Sequence, residues 1–138
     1  MTLNQELILT RCHDIEESLR RLEKIAEKQR DDFLNDSDAQ DIACYRLLVA
    51  IEAALGLCYH VSAKKLTKVP GEYAECFVIL ADAGIISREL SEGLQRMARF
   101  RNLLVHMYWK VDYGTVYEII QNNLNDLRHF SKVISALL

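Results

Sequence analysis

A single proline and only five glycines in 138 residues leave this chain short of the residues that make tight turns. A sheet protein needs such punctuation every ten residues or so, and its scarcity argues against an all-β or mixed fold. There is no Cys-x-x-Cys pair either. The four cysteines, Cys12, Cys44, Cys58 and Cys76, lie apart among apolar neighbours, and are expected to be small reduced core residues rather than metal ligands or disulfide partners. Positive charge is not in excess: 17 Lys and Arg against 20 Asp and Glu give a net charge of -3, which excludes a protein that holds nucleic acid by its general field. Any phosphate contact must be local. The N-terminus, Met1 to Glu6, lacks a basic region followed by an apolar one, so no signal peptide is expected and the cytoplasm is the expected location. The most apolar stretch, Leu47 to Val61, contains Glu52 and is shorter than the roughly 20 residues that span a bilayer. It reads as a buried helix, with no membrane partner.

What is present is hydrophobicity, at half of all residues, arranged with helical period. The length suits one domain, residues 1–138, and the pattern predicts an all-α bundle of about five helices packed antiparallel. The first would run from about 3 to 33 through Ile8, Cys12, Ile15, Leu19, Leu22, Ala26, Gln29 and Phe33, with Glu16/Arg20 and Glu17/Arg21 pairs outside. Asn35-Asp36-Ser37-Asp38 breaks it and offers caps for a central second helix bearing Cys44, Leu47, Leu48, Ile51, Ala54, Leu55 and Cys58. A basic loop from Lys64 to Gly71 precedes a short third helix at about 72 to 83, which Gly84 would terminate in a left-handed cap. Ser87 is placed to cap the fourth helix and Asp112 the fifth, whose apolar face runs from Val116 to Ile134.

The fourth helix carries the anomaly. Its stripe of Leu90, Leu94 and Met97 continues at Arg101 and Leu104, so a cation falls where an apolar side chain belongs. An unpartnered buried guanidinium costs several kcal/mol, so Arg101 implies either an anion or a wet seam between subunits. Glu52, which interrupts the apolar second helix, is the candidate partner. His106 follows five residues later, about 140 degrees around an unbroken helix. If both serve one site, the helix must end or distort near Val105. His106 and Tyr108, two apart, would point the same way in an extended segment leaving it. Histidine moves protons near neutral pH, and arginine matches phosphate oxygens with a planar fork. Together they suffice to cleave a phosphodiester without a metal or other cofactor. His13, His60 and His129 show no arrangement that suggests a site, and Trp109 reads as a packing residue before a base-stacking one.

The string Arg101-Asn102-Leu103-Leu104-Val105-His106-Met107-Tyr108 resembles the R-x4-H-x-Y motif of the HepT branch of the HEPN superfamily. Tyr45 to Leu55 resembles that family's second helix, Ile79 to Ile86 its lead into the motif helix, and Trp109 to Ile120 its passage into the last helix. The resemblance thus covers roughly residues 40 to 130. It implies a metal-independent endoribonuclease, the toxin of a pair whose antitoxin is an MNT-type minimal nucleotidyltransferase. Arg101 and His106 would be the catalytic pair, leaving a 2',3'-cyclic phosphate, with Asn102 and Glu52 in support. Tyr108 would be the tyrosine that the partner modifies with AMP. The family pairs its motif helices across a two-fold axis, so a homodimer is implied, with Arg96, Arg99 and Lys110 repeated along one groove to hold RNA. The competing reading is a non-catalytic module that binds a nucleotide or docks the nucleotidyltransferase.

Overall fold

In the computed structural model, which describes residues 2–138, the apolar seam that opens the chain folds as α1 (Gln5–Ala26), burying Ile8, Cys12, Ile15, Leu19 and Leu22. The Asn4 side chain caps it, accepting from the Leu7 N–H at 3.1 Å. On its outer face Glu17 takes both Arg20 and Arg21, and these hydrogen bonds pull its carboxyl down to about 2; Arg20 therefore pairs with Glu17 rather than with Glu16.

The seam does not continue as one helix to residue 33. The chain breaks after Ala26 and restarts as α2 (Arg30–Leu34) because side chains of a distant helix compete for the backbone there. Gln121 donates to the Ala26 carbonyl and Tyr117 to the Lys28 carbonyl, both at 2.6 Å, and Arg30 pairs with Glu118 at 2.6 Å. Phe33, on α2, is nonetheless fully buried.

Capped by Asp36, α3 (Ser37–Lys65) is the central helix. At 29 residues it is longer than its apolar stretch suggested and, by length and composition alone, long and apolar enough to cross a membrane. Here Leu47, Ile51, Leu55, Leu57 and Val61 are buried among the surrounding helices. It runs antiparallel to α1: His60, near its C-terminal end, accepts from the Asn4 N–H at 2.9 Å. The loop through Pro70 and Gly71 then turns the chain into α4 (Tyr73–Asp82), antiparallel to α3. Cys58 and Cys76 face each other across this hairpin, Cα atoms 6.1 Å apart, and are joined in a disulfide. This corrects the expectation of four reduced cysteines, which weighed spacing along the chain and not two apolar helix positions meeting in space. Cys12 and Cys44 are free, and burial pushes the Cys44 thiol up to about 11.

Gly84, at φ +77°, ends α4 as expected, with Ile85 N–H returning to Leu80 O at 3.0 Å. The Ser87 hydroxyl caps α5 (Arg88–His106), accepting from Leu90 N–H at 3.1 Å. Two contacts fix α5 against α4: Ser91 donates to the Phe77 carbonyl at 2.9 Å, and Arg88 pairs with Asp82 at 2.6 Å. A 3-10 turn (Tyr108–Lys110) leads to α6 (Tyr113–Asn122), capped by Asp112, and α7 (Leu124–Ser135). The single last helix expected from the pattern is thus broken at Asn123. The bend lets α6 pack on α1 and α2 while α7 reaches α1, α3 and α5. There Phe130 meets Phe77 edge to face, centroids 5.5 Å apart. The described residues form seven helices rather than five and no strand, an all-α bundle.

Candidate active site

Along α5 the inward stripe of Leu90, Leu94, Met97 and Ala98 reaches Arg101, whose side chain is only 13% exposed. Desolvation on that scale demands partners, and there are three. Arg101 Nε donates to Glu52 Oε1 on α3, Nη1 donates to Asn102 Oδ1 at 3.1 Å, and Cζ stands 4.7 Å over the Tyr73 ring. The predicted anion is therefore Glu52, itself 45% exposed. Among the described residues Nη2 makes no protein hydrogen bond, so one edge of the fork is free.

His106 is the last residue of α5 and is exposed. Arg99, Asn102 and His106 fall three and four residues apart, on one helix face, and line a cleft of about 600 Å³. The facing wall is Tyr59 of α3 and the segment Gly71 to Ala74 that enters α4. Arg101 lies off that face and adjoins the cleft through Tyr73 and Asn102, both of which line it. The structure thus brings His106 and Asn102 to one cleft, while Arg101 adjoins it and Glu52, paired with Arg101, lines a separate groove with Arg11 and Asp14.

Tyr108 is placed differently from the expectation. The helix does end near Val105, but His106 is still helical and only Met107, at φ -140° and ψ 47°, breaks the geometry. The chain never becomes extended there, because Met107 N–H still reaches Leu103 O at 2.9 Å and Lys110 N–H reaches Met107 O at 2.8 Å. His106 and Tyr108 therefore do not leave the helix side by side. Tyr108, 72% exposed, stacks edge to face on Trp109 and is not among the cleft-lining residues. Trp109 is 66% exposed, so it is not the packing residue it was read as.

Arg96, Arg99 and Lys110 are exposed and, among the described residues, none forms an ion pair. Arg96 and Arg99 also border a mainly apolar groove of about 510 Å³ between α5 and α6, with Met97, Phe100, Leu103 and Ile119. Lys110 sits apart on the 3-10 turn. Sequence reasoning missed Tyr59, Glu72 and Tyr73. Nothing in the sequence pattern marks Tyr73 for a site; its place under the guanidinium depends on α4 folding back against α5.

The family model described as Ribonuclease HepT-like matches residues 15–134 of the chain. An "mRNA nuclease HepT" from Shewanella oneidensis is 25% identical over 131 residues, covering 95% of this chain and 98% of that protein. A "tRNA nuclease HepT" from Aphanizomenon flos-aquae is 26% identical over 132 residues, covering 96% and 90% respectively. Among solved structures, the tri-AMPylated HEPN toxin of Shewanella oneidensis, in complex with its MNT antitoxin, superimposes with a TM-score of 0.86 at 25% identity, covering 94% of this chain and 97% of that one.

Proposed function

Because the chain belongs to the HepT-like ribonuclease family, we propose that it is a cytoplasmic, metal-independent endoribonuclease toxin whose catalytic pair is Arg101 and His106. The observation that carries the reading is the single face of α5 that presents Arg99, Asn102 and His106 to one cleft, with the Arg101 guanidinium held beside it by Glu52 and Tyr73. In the proposed step the ribose 2'-oxygen attacks the adjacent phosphorus as His106 takes the hydroxyl proton. The P–O5' bond breaks, the leaving oxygen acquires a proton, and a 2',3'-cyclic phosphate remains. Arg101 offers its free edge to the charge building on the phosphoryl oxygens, the commonest large contribution to such catalysis. Asn102 orients that edge. Arg96, Arg99 and Lys110 hold neighbouring phosphates.

The likeness to an AMPylated toxin in an antitoxin complex supports an MNT-type nucleotidyltransferase partner; a homodimer that pairs two motif helices is part of the same proposal. Tyr108, exposed and with no hydrogen bond at its hydroxyl among the described residues, is the proposed acceptor. Its oxygen would attack the α-phosphorus of ATP, releasing pyrophosphate and losing its proton to solvent. The added phosphate would repel RNA from the motif. Intact-mass and peptide mapping after co-expression with such a partner should place AMP on Tyr108.

One observation favours the non-catalytic binding module instead: Arg101 is engaged by Glu52 and Asn102 rather than by His106. Expression of the protein alone separates the two. Growth arrest with RNA fragmentation that is lost in Arg101→Ala and His106→Ala supports the nuclease, and equal toxicity of all three forms refutes it.

A further inference from the structure

The cleft is electrostatically divided. On the α5 side stand Arg99, Asn102 and His106; on the other stand Tyr59, Tyr73 and Glu72. Glu72 is an oddity in a site meant for a polyanion. It is the residue that precedes α4, yet its side chain caps nothing, and among the described residues its carboxylate has neither a hydrogen bond nor an ion pair. Its neighbour Glu75 is committed, accepting the Gly71 N–H at 2.8 Å and so shaping the turn that sets Glu72 at the cleft. Beside Glu72 the rings of Tyr59 and Tyr73 meet at 84° with centroids 5.9 Å apart, making an aromatic corner of two half-buried side chains. The Tyr59 phenol lies close enough to Glu72 and Glu75 for their charge, after burial and Tyr73, to raise its pKa.

A free carboxylate beside half-buried aromatic rings that line an open cleft repels phosphate and suits a nucleobase. Aromatic rings bind any base by stacking, whereas a carboxylate accepts hydrogen bonds and so selects bases by their donors. Guanine alone presents two adjacent donors, N1–H and the N2 amino group, on one edge, matching both oxygens of a carboxylate. Adenine and cytosine offer one exocyclic amine, and uracil one ring N–H. The cleft, at about 600 Å³, lies within the range of about 300–1,000 Å³ usual for small-ligand sites.

Resting on the ribonuclease reading for its biological meaning, we propose that Tyr59, Tyr73 and Glu72 form a base-recognition subsite for an unpaired guanine of the RNA substrate. The base lies in the tyrosine corner with its N1/N2 edge on Glu72, while its 3'-phosphate faces Arg99 and His106. Arg101, on Tyr73, thereby links the subsite to the scissile phosphate. The subsite selects where the strand is cut and takes no part in bond breaking.

The test uses the whole protein and the four nucleoside 3'-monophosphates, with binding measured by calorimetry or NMR titration. Guanosine 3'-monophosphate should bind on the order of tenfold more tightly than the adenosine, cytidine and uridine compounds. Glu72→Gln, which keeps size and removes one acceptor and the charge, should abolish that preference while weak binding of all four persists. Tyr59→Leu should weaken all four together, since stacking does not discriminate. A native circular dichroism spectrum and melting temperature establish that each variant is folded. Equal binding of the four nucleotides by the wild-type protein, or an undiminished guanine preference in Glu72→Gln, overturns the proposal. The ribonuclease reading fails separately, if the wild-type protein cuts no RNA. His106→Ala should lose cleavage yet keep the guanine preference, and loss of the preference in that folded variant would overturn the subsite as drawn.

Discussion

Replacing Glu52 by Gln tests whether Arg101 is held for a purpose or merely neutralised. At a separation of about 4 Å and an effective dielectric constant of about 20, a unit ion pair is worth roughly 4 kcal/mol. Glu52 is 45% exposed, so water screens much of this, and exposed pairs measure about 0–1 kcal/mol. Arg101, at 13% exposure, pulls the figure the other way, toward the roughly 3–5 kcal/mol cost of breaking a buried pair. Glutamine keeps an acceptor for Nε, and the Tyr73 ring retains a cation–π contact of about 0.5–2 kcal/mol. The balance is a loss of about 1–2 kcal/mol, or a fall in Tm of roughly 3–8 °C by the usual scaling for a chain of this length. For cleavage, the guanidinium loses the partner that fixes its Nε edge, and kcat should fall about tenfold while KM stays or drops, because a negative charge near the RNA has gone. Arg101→Ala should cost about a hundredfold or more, the usual loss on removing a transition-state donor. Single-turnover cleavage of a fluorogenic RNA and thermal denaturation measure both. An unchanged kcat and an unchanged Tm in Glu52→Gln would refute the positioning argument, and a raised KM with unchanged kcat would reassign Glu52 to substrate binding.

Phe77→Ala should cost about 3–5 kcal/mol in denaturant unfolding, since Phe77 is 1% exposed and meets Phe130 edge to face. Gly84→Ala should cost about 1–2 kcal/mol with activity intact, because φ there is +77° and the backbone, not crowding, sets the penalty. Stability should decline as pH falls below about 6.5. His60 Nε2 accepts the Asn4 N–H, and burial with Lys64 lowers its pKa in the fold, so the unfolded chain takes up the proton first and stability present above 6.5 is lost toward the folded value. The pH dependence of Tm should flatten in His60→Gln. RNA binding by His106→Ala should weaken with salt at a log–log slope of about -2, the value for some three single-strand phosphate contacts, and Arg96→Gln should remove about 0.7 of it; a slope of about -5 or steeper would contradict local binding.

What could be read from the sequence was what neighbouring residues decide. Ser87, Asp36 and Asp112 cap the helices they precede because the donors they satisfy lie two or three residues on. Gly84 ends α4 because glycine enters the left-handed region at little cost. Arg101 stood out as a cation on an apolar stripe, and Glu52 as an acid in an apolar helix, and the two meet. The misses are long-range. The break after Ala26 arises from Tyr117 and Gln121, roughly ninety residues away in the chain, donating to its carbonyls. The Cys58–Cys76 pairing and the Tyr59–Tyr73 corner require α4 to fold back on α3, and no periodicity encodes which residues then touch. At residue 107 a local rule misled: alternation places two side chains together only in extended backbone, and Met107 interrupts the helix without extending it.

An acidic chain can hold RNA only where its charge is unevenly spent, and the distribution here is uneven. Arg11, Arg20, Arg21, Arg30, Arg88 and Arg128 are each paired with a carboxylate. Between Gly93 and Val111, by contrast, there are four cations, Arg96, Arg99, Arg101 and Lys110, and no Asp or Glu. Of these four, among the described residues, only Arg101 forms an ion pair, with a carboxylate brought from α3. On the proposed function, attraction and chemistry fall to different arginines. In that proposal Arg96 and Arg99, exposed and outside any ion pair among the described residues, supply the local field for phosphates, while Arg101 gives up part of its charge to Glu52 in return for a fixed direction. A guanidinium that points correctly before substrate arrives need not reorganise as charge develops on phosphorus, and that gain exceeds what a free but mobile cation would add. If the further subsite holds a guanine on Glu72, the same division extends across the cleft: the lining carboxylate faces the donor edge of the base, while the cations face its phosphate.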